Sequence, residues 1–275
     1  MDKLHEKYKN LLDYLGSLGK VAIAYSSGVD STFLLKAAVA ALGEKNVLAM
    51  TASSCFFPLR EKTEAIDFTE ELGVKHIVVD EDILAVDDIA SNPPNRCYLC
   101  KKALFSELIR QAREEGFASV CEGSNMDDLS DYRPGMQAIL ELGVLSPLRT
   151  AALYKEDIRE LSREMKLRTS EKPAFACLAS RFVYGEQLTE EKLGIVDRAE
   201  QFLLDKGFSQ FRVRLHGDKK NLLARIEVLP EDISTLSSED MRLKVHEYFK
   251  SLGIVYISMD LKGYAQGNMN KSIEK

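Results

Sequence analysis

No stretch of this 275-residue chain is apolar for long enough to span a bilayer. The start, Met1-Asp2-Lys3-Leu4-His5-Glu6, lacks the pattern of a secretory signal peptide. A membrane protein is therefore not expected, and a cytoplasmic location is. Positive charge is short too: 37 Lys and Arg stand against 43 Asp and Glu, a formal net charge of −6. Phosphate contacts supply most nucleic-acid affinity. With no Lys/Arg-rich tail and no aromatic-basic interleaving, nucleic acid is disfavoured as a partner, although a local basic patch stays compatible with the charge. No internal repeat or low-complexity segment occurs. Histidine is scarce, and none of His5, His76, His216 and His246 lies near a cysteine in sequence.

What is present describes a globular protein. Hydrophobic residues make up 45% and charged residues 29%, and the length suits one large or two ordinary domains. Five cysteines (Cys55, Cys97, Cys100, Cys121, Cys177) are an odd count, which argues against a disulfide framework. Metal binding, catalysis or burial remain for them.

The periodicity predicts an opening amphipathic helix through Leu4, Tyr8, Leu11, Leu12 and Leu15. Strands follow at Val21–Ala24, Asn46–Ala52, Lys75–Asp80 and Phe117–Glu122, alternating with helices that include Arg60–Leu72 and Cys97–Glu115. That alternation predicts a parallel, doubly wound α/β sheet, with ligands beyond the carboxyl ends of its strands. The loops after the first, second and fourth strands should converge on one cleft. From about Tyr154 the pattern changes to helices (Tyr154–Lys166, Thr189–Lys206, near Ser238–Leu252) and short strands (Ser209–Leu215, Leu222–Leu229, Ile254–Leu261), a smaller α+β unit. The expected domains are 1–150 and 151–275.

The most telling stretch is Ser26-Ser27-Gly28-Val29-Asp30-Ser31-Thr32, between a predicted strand and helix. Small residues let backbone N–H groups approach an anion, and a helix N-terminus adds positive partial charge. The bland alternative is a βα turn with a Ser-rich cap. The run resembles the pyrophosphate loop, S-G-G-x-D-S, of the PP-loop ATP pyrophosphatases, with Ser27 where the pattern has Gly. If that position needs φ > 0, Ser there costs on the order of 1 kcal/mol.

Other clusters carry chemistry more weakly. Cys97-Tyr98-Leu99-Cys100 sits at a predicted helix start, a setting that favours thiolates; a redox pair or chance is the alternative to a metal site. Pro93-Pro94 fixes the chain's entry. Cys177 lies in a loop flanked by Lys172 and Arg181, whose charge would favour a thiolate. Three cysteines can hold a [4Fe–4S] cluster with one iron open, whereas zinc would want a fourth ligand. Cys55 and Cys121 read as packing residues. Gly123-Ser124-Asn125-Met126-Asp127-Asp128, followed by Asp131-Tyr132-Arg133-Pro134-Gly135, suits ribose contacts and a Mg²⁺ shell, or else a capped turn. Arg212 and Arg214 alternate on a strand and so share a face, as a phosphate clamp or a solvated charged face. Glu200 on a neighbouring helix is placed to pair with them or to act as acid or base.

Taken together, these residues resemble the LarE family, PP-loop sulfur transferases of nickel-pincer nucleotide biosynthesis. The likeness also runs through Lys172-Pro173, Cys177-Leu178-Ala179-Ser180-Arg181, Arg225-Ile226-Glu227 and Asp260-Leu261-Lys262-Gly263-Tyr264. It implies an ATP- and Mg²⁺-dependent enzyme that adenylates the carboxylates of pyridinium-3,5-biscarboxylic acid mononucleotide and converts them to thiocarboxylates. It implies ATP contacts from Ser26 to Thr32, Thr51, Gly123, Asn125 and Asp127, with Cys177 and Glu200 catalytic and Arg212 and Arg214 on the substrate phosphate. Cys97 and Cys100 point to the branch in which they and Cys177 hold a [4Fe–4S] cluster carrying a sulfide, rather than the branch in which one cysteine gives up its own sulfur. A homo-oligomer is the expected assembly; the sulfur donor is open. A cluster-containing tRNA thiolase is the runner-up, ahead of an amide-forming enzyme of the NAD or GMP synthetase type and a non-catalytic nucleotide-binding regulator.

Overall fold

The computed structural model describes residues 2–129, 134–173, 176–218 and 220–265. The chain forms two compact units, Met1–Val86 with Asn95–Phe175, and Asp87–Pro94 with Ala176–Lys275. No helix among the described residues is long and apolar enough to cross a membrane.

The first unit runs α1 (Lys3–Leu18), β1 (Val21–Ala24), α2 (Val29–Leu42), β2 (Val47–Ser53), α3 (Leu59–Glu71), β3 (Lys75–Asp80), α4 (Arg96–Glu114), β4 (Ser119–Cys121), α5 (Pro134–Glu141), α6 (Pro147–Thr150) and α7 (Lys155–Glu164). Its four strands are parallel in the order β3-β2-β1-β4. Successive strand residues face opposite sides. Val21, Ile23, Val47 and Ala49 therefore join a core with α1, α2 and α7, while Ala22, Leu48 and Met50 join one with α4 and α5. Helices thus cover both faces, as the alternating pattern predicts. Helix α2 is apolar nearly all round and buries Phe33, Leu34, Leu35, Ala37 and Ala38, as expected of a central helix.

The strand order reverses direction between β1 and β4, the point at which such sheets open a ligand crevice. The chain division differs from one at residue 150. Residues 151–173 stay with the first unit because Leu153, Ile158 and Leu161 complete the α1/α2 core. Residues 87–94 join the second, where Asn92 Nδ2 donates to Val183 O (2.7 Å) and Leu188 N to Ala90 O (2.8 Å).

The second unit contains α8 (Glu190–Asp205), β5 (Phe211–His216), β6 (Leu223–Val228), α9 (Ile233–Ser237), α10 (Glu239–Ser251) and β7 (Tyr256–Met259). Strands β5 and β6 are antiparallel, and β6 and β7 parallel. Ala199 and Leu203 of α8, Phe211, Val213 and Leu215 of β5 and Phe249 of α10 are fully buried, and Phe202 stacks on Tyr248 with ring centroids 4.3 Å apart.

Candidate active site

In the first unit the loop Ser26–Ser31 passes from β1 into α2, capped by Gly28. Ser31 Oγ accepts from Ser26 N (3.2 Å) and donates to Gly28 O (3.2 Å), closing the turn on itself. Ser27 has φ +52°, so this position does require the left-handed region. Ser rather than Gly is held there from outside: its Oγ donates to Glu61 O (3.2 Å), and Lys172 Nζ donates to its carbonyl (3.0 Å) while pairing with Glu64 (2.5 Å).

The loop after β4 meets the same place. Gly123 approaches so closely that a Cβ there would lie 3.1 Å from Ser31 N. Asn125 Nδ2 donates to Asp30 Oδ1 (3.3 Å), and Asn125 Oδ1 accepts from Asp127 N (2.9 Å). Thr51, at the end of β2, adjoins the loop through Tyr25, whose carbonyl accepts from its hydroxyl (2.9 Å). With that proton committed, Thr51 Oγ1 accepts from His76 Nε2 (2.8 Å), and burial lowers His76 below its usual pKa and so favours the neutral ring. The Thr51 side chain is therefore a latch between strands. The loops after β1 and β4 thus meet, and Thr51 reaches the same region from within β2. Residues 130–133, part of the block singled out in the sequence, lie outside the described residues.

Sequence reasoning missed Lys155 and Glu122 here, and read Lys172 as a neighbour of Cys177 rather than a partner of the Ser27 loop. Lys172 is described above. Lys155 Nζ pairs with Asp30 Oδ2 at 2.6 Å. Glu122, buried just past β4, accepts from Ser124 N (3.0 Å), Ser124 Oγ (2.7 Å) and Ser146 Oγ (2.5 Å), which sets the path of the 123–125 loop. None has a local signature; each is identified by its partner.

None of the five cysteines is in a disulfide. Cys97 and Cys100 occupy the first turns of α4, and the buried Arg96 directs Nη2 to Cys97 Sγ at 3.6 Å. Cys121 is fully buried, its thiol pushed up to about 12 by burial and the nearby Glu122, whereas Cys55 is only half-buried, contrary to a pure packing role. Within either unit, no group of three His, Cys, Asp or Glu able to hold a metal ion occurs among the described residues. Cys97 and Cys100 belong to the first unit and Cys177 to the second.

In the second unit Cys177 precedes a 3-10 turn, Leu178–Arg181. Both flanking cations have carboxylate partners. Arg181 is wholly buried and paired with Glu200 at both oxygens (Nε–Oε1 2.9 Å, Nη2–Oε2 2.7 Å), while its Nη1 donates to the carbonyls of Ala176 (2.5 Å) and Cys177 (3.1 Å). Lys172 serves Ser27 and Glu64. Glu200 also accepts from Val213 N (2.9 Å). Burial would raise its pKa, but Arg181 and that N–H outweigh burial and hold the carboxyl below its ordinary range. Glu200 thus forks onto Arg181 and also faces the charge of Arg212 on the strand.

Arg212 and Arg214 are both buried, which excludes a solvated charged face. Arg214 forms a fork with Glu227 (3.1 and 3.0 Å) and donates to Ser180 O (2.7 Å). Arg212 lies 5.0 Å from the Tyr264 ring centroid and is pushed down to about 10 by burial and by Arg181, so it keeps its charge at neutral pH. Arg225 bridges Glu227 (3.1 Å) and Asp260. This is a dense polyarginine centre in which Glu200 and Glu227 offset the buried positive charge.

Over its whole length the chain is 37% identical to the pyridinium-3,5-bisthiocarboxylic acid mononucleotide synthase of Lactiplantibacillus plantarum, covering 98% of that protein. The chain belongs to the LarE family. LarE proteins are PP-loop, ATP-dependent, sulfur-transferring enzymes, and so is this one. An uncharacterized protein of Synechocystis sp. is 39% identical, over 99% of this chain and 100% of its own. The PP-loop fold also connects the chain to an NH(3)-dependent NAD(+) synthetase of Hyperthermus butylicus, 28% identical over 75% of each chain. No family model matches.

Proposed function

We propose that this LarE protein uses ATP to adenylate the carboxylates of pyridinium-3,5-biscarboxylic acid mononucleotide and replaces AMP with sulfur, giving thiocarboxylates. The observation that carries the reading is the end-to-end identity to the bisthiocarboxylic acid mononucleotide synthase. The loop geometry agrees with it. A carboxylate is a poor electrophile, and adenylation supplies a leaving group.

In this reading the loop Ser26–Thr32 cradles the ATP phosphates at the N-terminus of α2. Gly123, Asn125 and Asp127 line the nucleotide from the β4 side, and Thr51 braces the loop through Tyr25. Asp30 and Asp127 would hold Mg²⁺, which offsets charge on the leaving pyrophosphate. Arg212 and Arg214 take the substrate phosphate, and Glu200 keeps the arginine centre assembled through Arg181. Cys177 is the sulfur-site cysteine.

The donor chemistry fits a [4Fe–4S] cluster on Cys97, Cys100 and Cys177: three half-buried thiols outside any disulfide, two of them three residues apart on one helix face. When bound, such a cluster supplies sulfur as a sulfide, so that the enzyme survives turnover. The expected assembly is a homo-oligomer, and the expected location the cytoplasm.

The test is ATP–pyrophosphate exchange on anaerobically purified protein given the mononucleotide, tRNA or ammonia, with iron and acid-labile sulfide measured on the same sample. Exchange driven by the mononucleotide, and about four irons lost in Cys97→Ala, Cys100→Ala and Cys177→Ala alike, is expected. Exchange driven by tRNA alone would overturn the substrate. No iron after reconstitution would overturn the cluster and leave Cys177 as a sacrificial donor.

A further inference from the structure

In the second unit Arg181 pairs with Glu200, Arg214 with Glu227, and Arg225 with Glu227 and Asp260. Arg212 is placed differently. Its cross-strand neighbour is Glu227, which turns its oxygens to Arg214 and Arg225. Glu200 faces Arg212, but Arg181 engages both of its oxygens and Val213 N one of them. Over the Arg212 guanidinium lies an aromatic ring: Cζ is 5.0 Å from the Tyr264 centroid, while Nη1 donates to Phe211 O (2.6 Å). A closely determined turn delivers that ring. After β7, Asp260 N donates to Ile226 O (2.9 Å) and Tyr264 N to Val228 O (2.7 Å), so the chain folds back along β6 and brackets Glu227. Asp260 closes the turn: its carboxylate accepts from Lys262 N (2.9 Å) and pairs with Arg225, and its carbonyl accepts from Gly263 N (3.1 Å). Gly263 has φ +74°, and a Cβ there would lie 2.6 Å from Val228 O, so the turn demands glycine.

We propose that Tyr264 is a positioning residue for the substrate phosphate: its ring face fixes the plane of Arg212 and shields it from water, so that the guanidinium meets a phosphomonoester at full charge. The proposal rests on the reading of Arg212 and Arg214 as the phosphate site. A carboxylate on Arg212 would neutralise it and compete with an incoming anion. A phenol ring attracts the same cation through its quadrupole and leaves the charge for a ligand. Arg214, whose fork with Glu227 sets its geometry, then supplies direction, and Arg212 supplies attraction.

Calorimetric titration with the pyridinium mononucleotide, and with the nucleoside left when its phosphate is removed, tests it on the full chain. The ratio of the two affinities isolates the phosphate contact. Tyr264→Leu should weaken the mononucleotide about 5- to 30-fold, the worth of a desolvated cation–π contact, and the nucleoside by less than about 2-fold. Tyr264→Phe keeps the ring and should stay within about 3-fold of wild type. In an Arg212→Ala background Tyr264→Leu should cost less than about 2-fold more, because the ring acts through that arginine. Tyr264→Gln gives the answer if the Leu variant does not fold. Equal weakening of both ligands would show a packing role and overturn the proposal, as would a full further loss in the Arg212→Ala background or no change at all. Mononucleotide binding that survives Arg212→Ala and Arg214→Ala intact would instead overturn the phosphate reading, and the proposal with it.

Discussion

Replacing Glu200 with Gln removes one charge from a pair in which both side chains are 0% exposed. The amide oxygen can still accept from Val213 N, so the backbone bond at 2.9 Å need not be lost. What changes is Arg181: its guanidinium stays buried without a countercharge, beside Arg212. Breaking a buried pair from one side costs about 3–5 kcal/mol. Taking about 4 kcal/mol and a urea slope of about 2 kcal/mol per M, the transition of this unit should move down by about 2 M. The chain has no tryptophan, so far-UV circular dichroism is the readout. Pairing the change with Arg181→Met should recover about 2 kcal/mol relative to the sum of the single effects. The pH dependence has a fixed sign. The folded-state pKa of Glu200 is depressed, so its contribution is present above the unfolded value of about 4.3 and fades as pH falls through the folded value. The gap between wild type and Glu200→Gln should therefore close below about pH 4. A midpoint shift under about 0.5 M at pH 7, or a gap that widens on acidification, would refute the reasoning.

Three further outcomes are expected. Ser27→Ala loses the bond to Glu61 O but keeps the positive φ, and should cost about 1 kcal/mol; Ser27→Gly loses the same bond and relieves the strain, so thermal melts should place it about 1 kcal/mol above the Ala variant, and equal melting would show no strain at Ser27. Gly123→Ala would put a Cβ 3.1 Å from Ser31 N and 3.3 Å from Asp30 C, backbone atoms that cannot swing aside; an overpacking cost of about 1–3 kcal/mol should weaken ATP and AMP together, and unchanged nucleotide titrations would contradict the close approach. Cys121, with its thiol pushed up to about 12, should resist iodoacetamide at pH 8 in the native protein and react in urea; mass spectrometry showing native labelling as fast as at Cys97 would contradict its burial.

Much of the first unit is legible in the chain because its signals are local. Strands β1 and β3 fall on the residues that the apolar runs mark, and the small-residue loop sits between a strand and a helix as its composition demands. Strand β4, Ser119–Cys121, is shorter than its apolar run at both ends, and just past it the Glu122 side chain holds Ser124 and Ser146. Helices α5, α6 and α9 carry too few periodic residues to announce themselves. The alternation of Arg212 and Arg214 is likewise visible in sequence, but not their burial, which depends on Glu227 arriving from the paired strand and Tyr264 from beyond β7.

By itself, then, the sequence determined the alternating α/β order, the anion-binding loop, the cysteine spacing and the family likeness, since each is written in neighbours or short periods. Tertiary structure alone decided that Glu200 answers Arg181, that residues 87–94 join the second unit, that Ser27 is held in the left-handed region by Glu61 and Lys172, and that Lys155 reaches Asp30. Those pairings join positions up to 145 residues apart. A side chain's charge is known from its type, but the group that offsets it is set by where the whole chain packs.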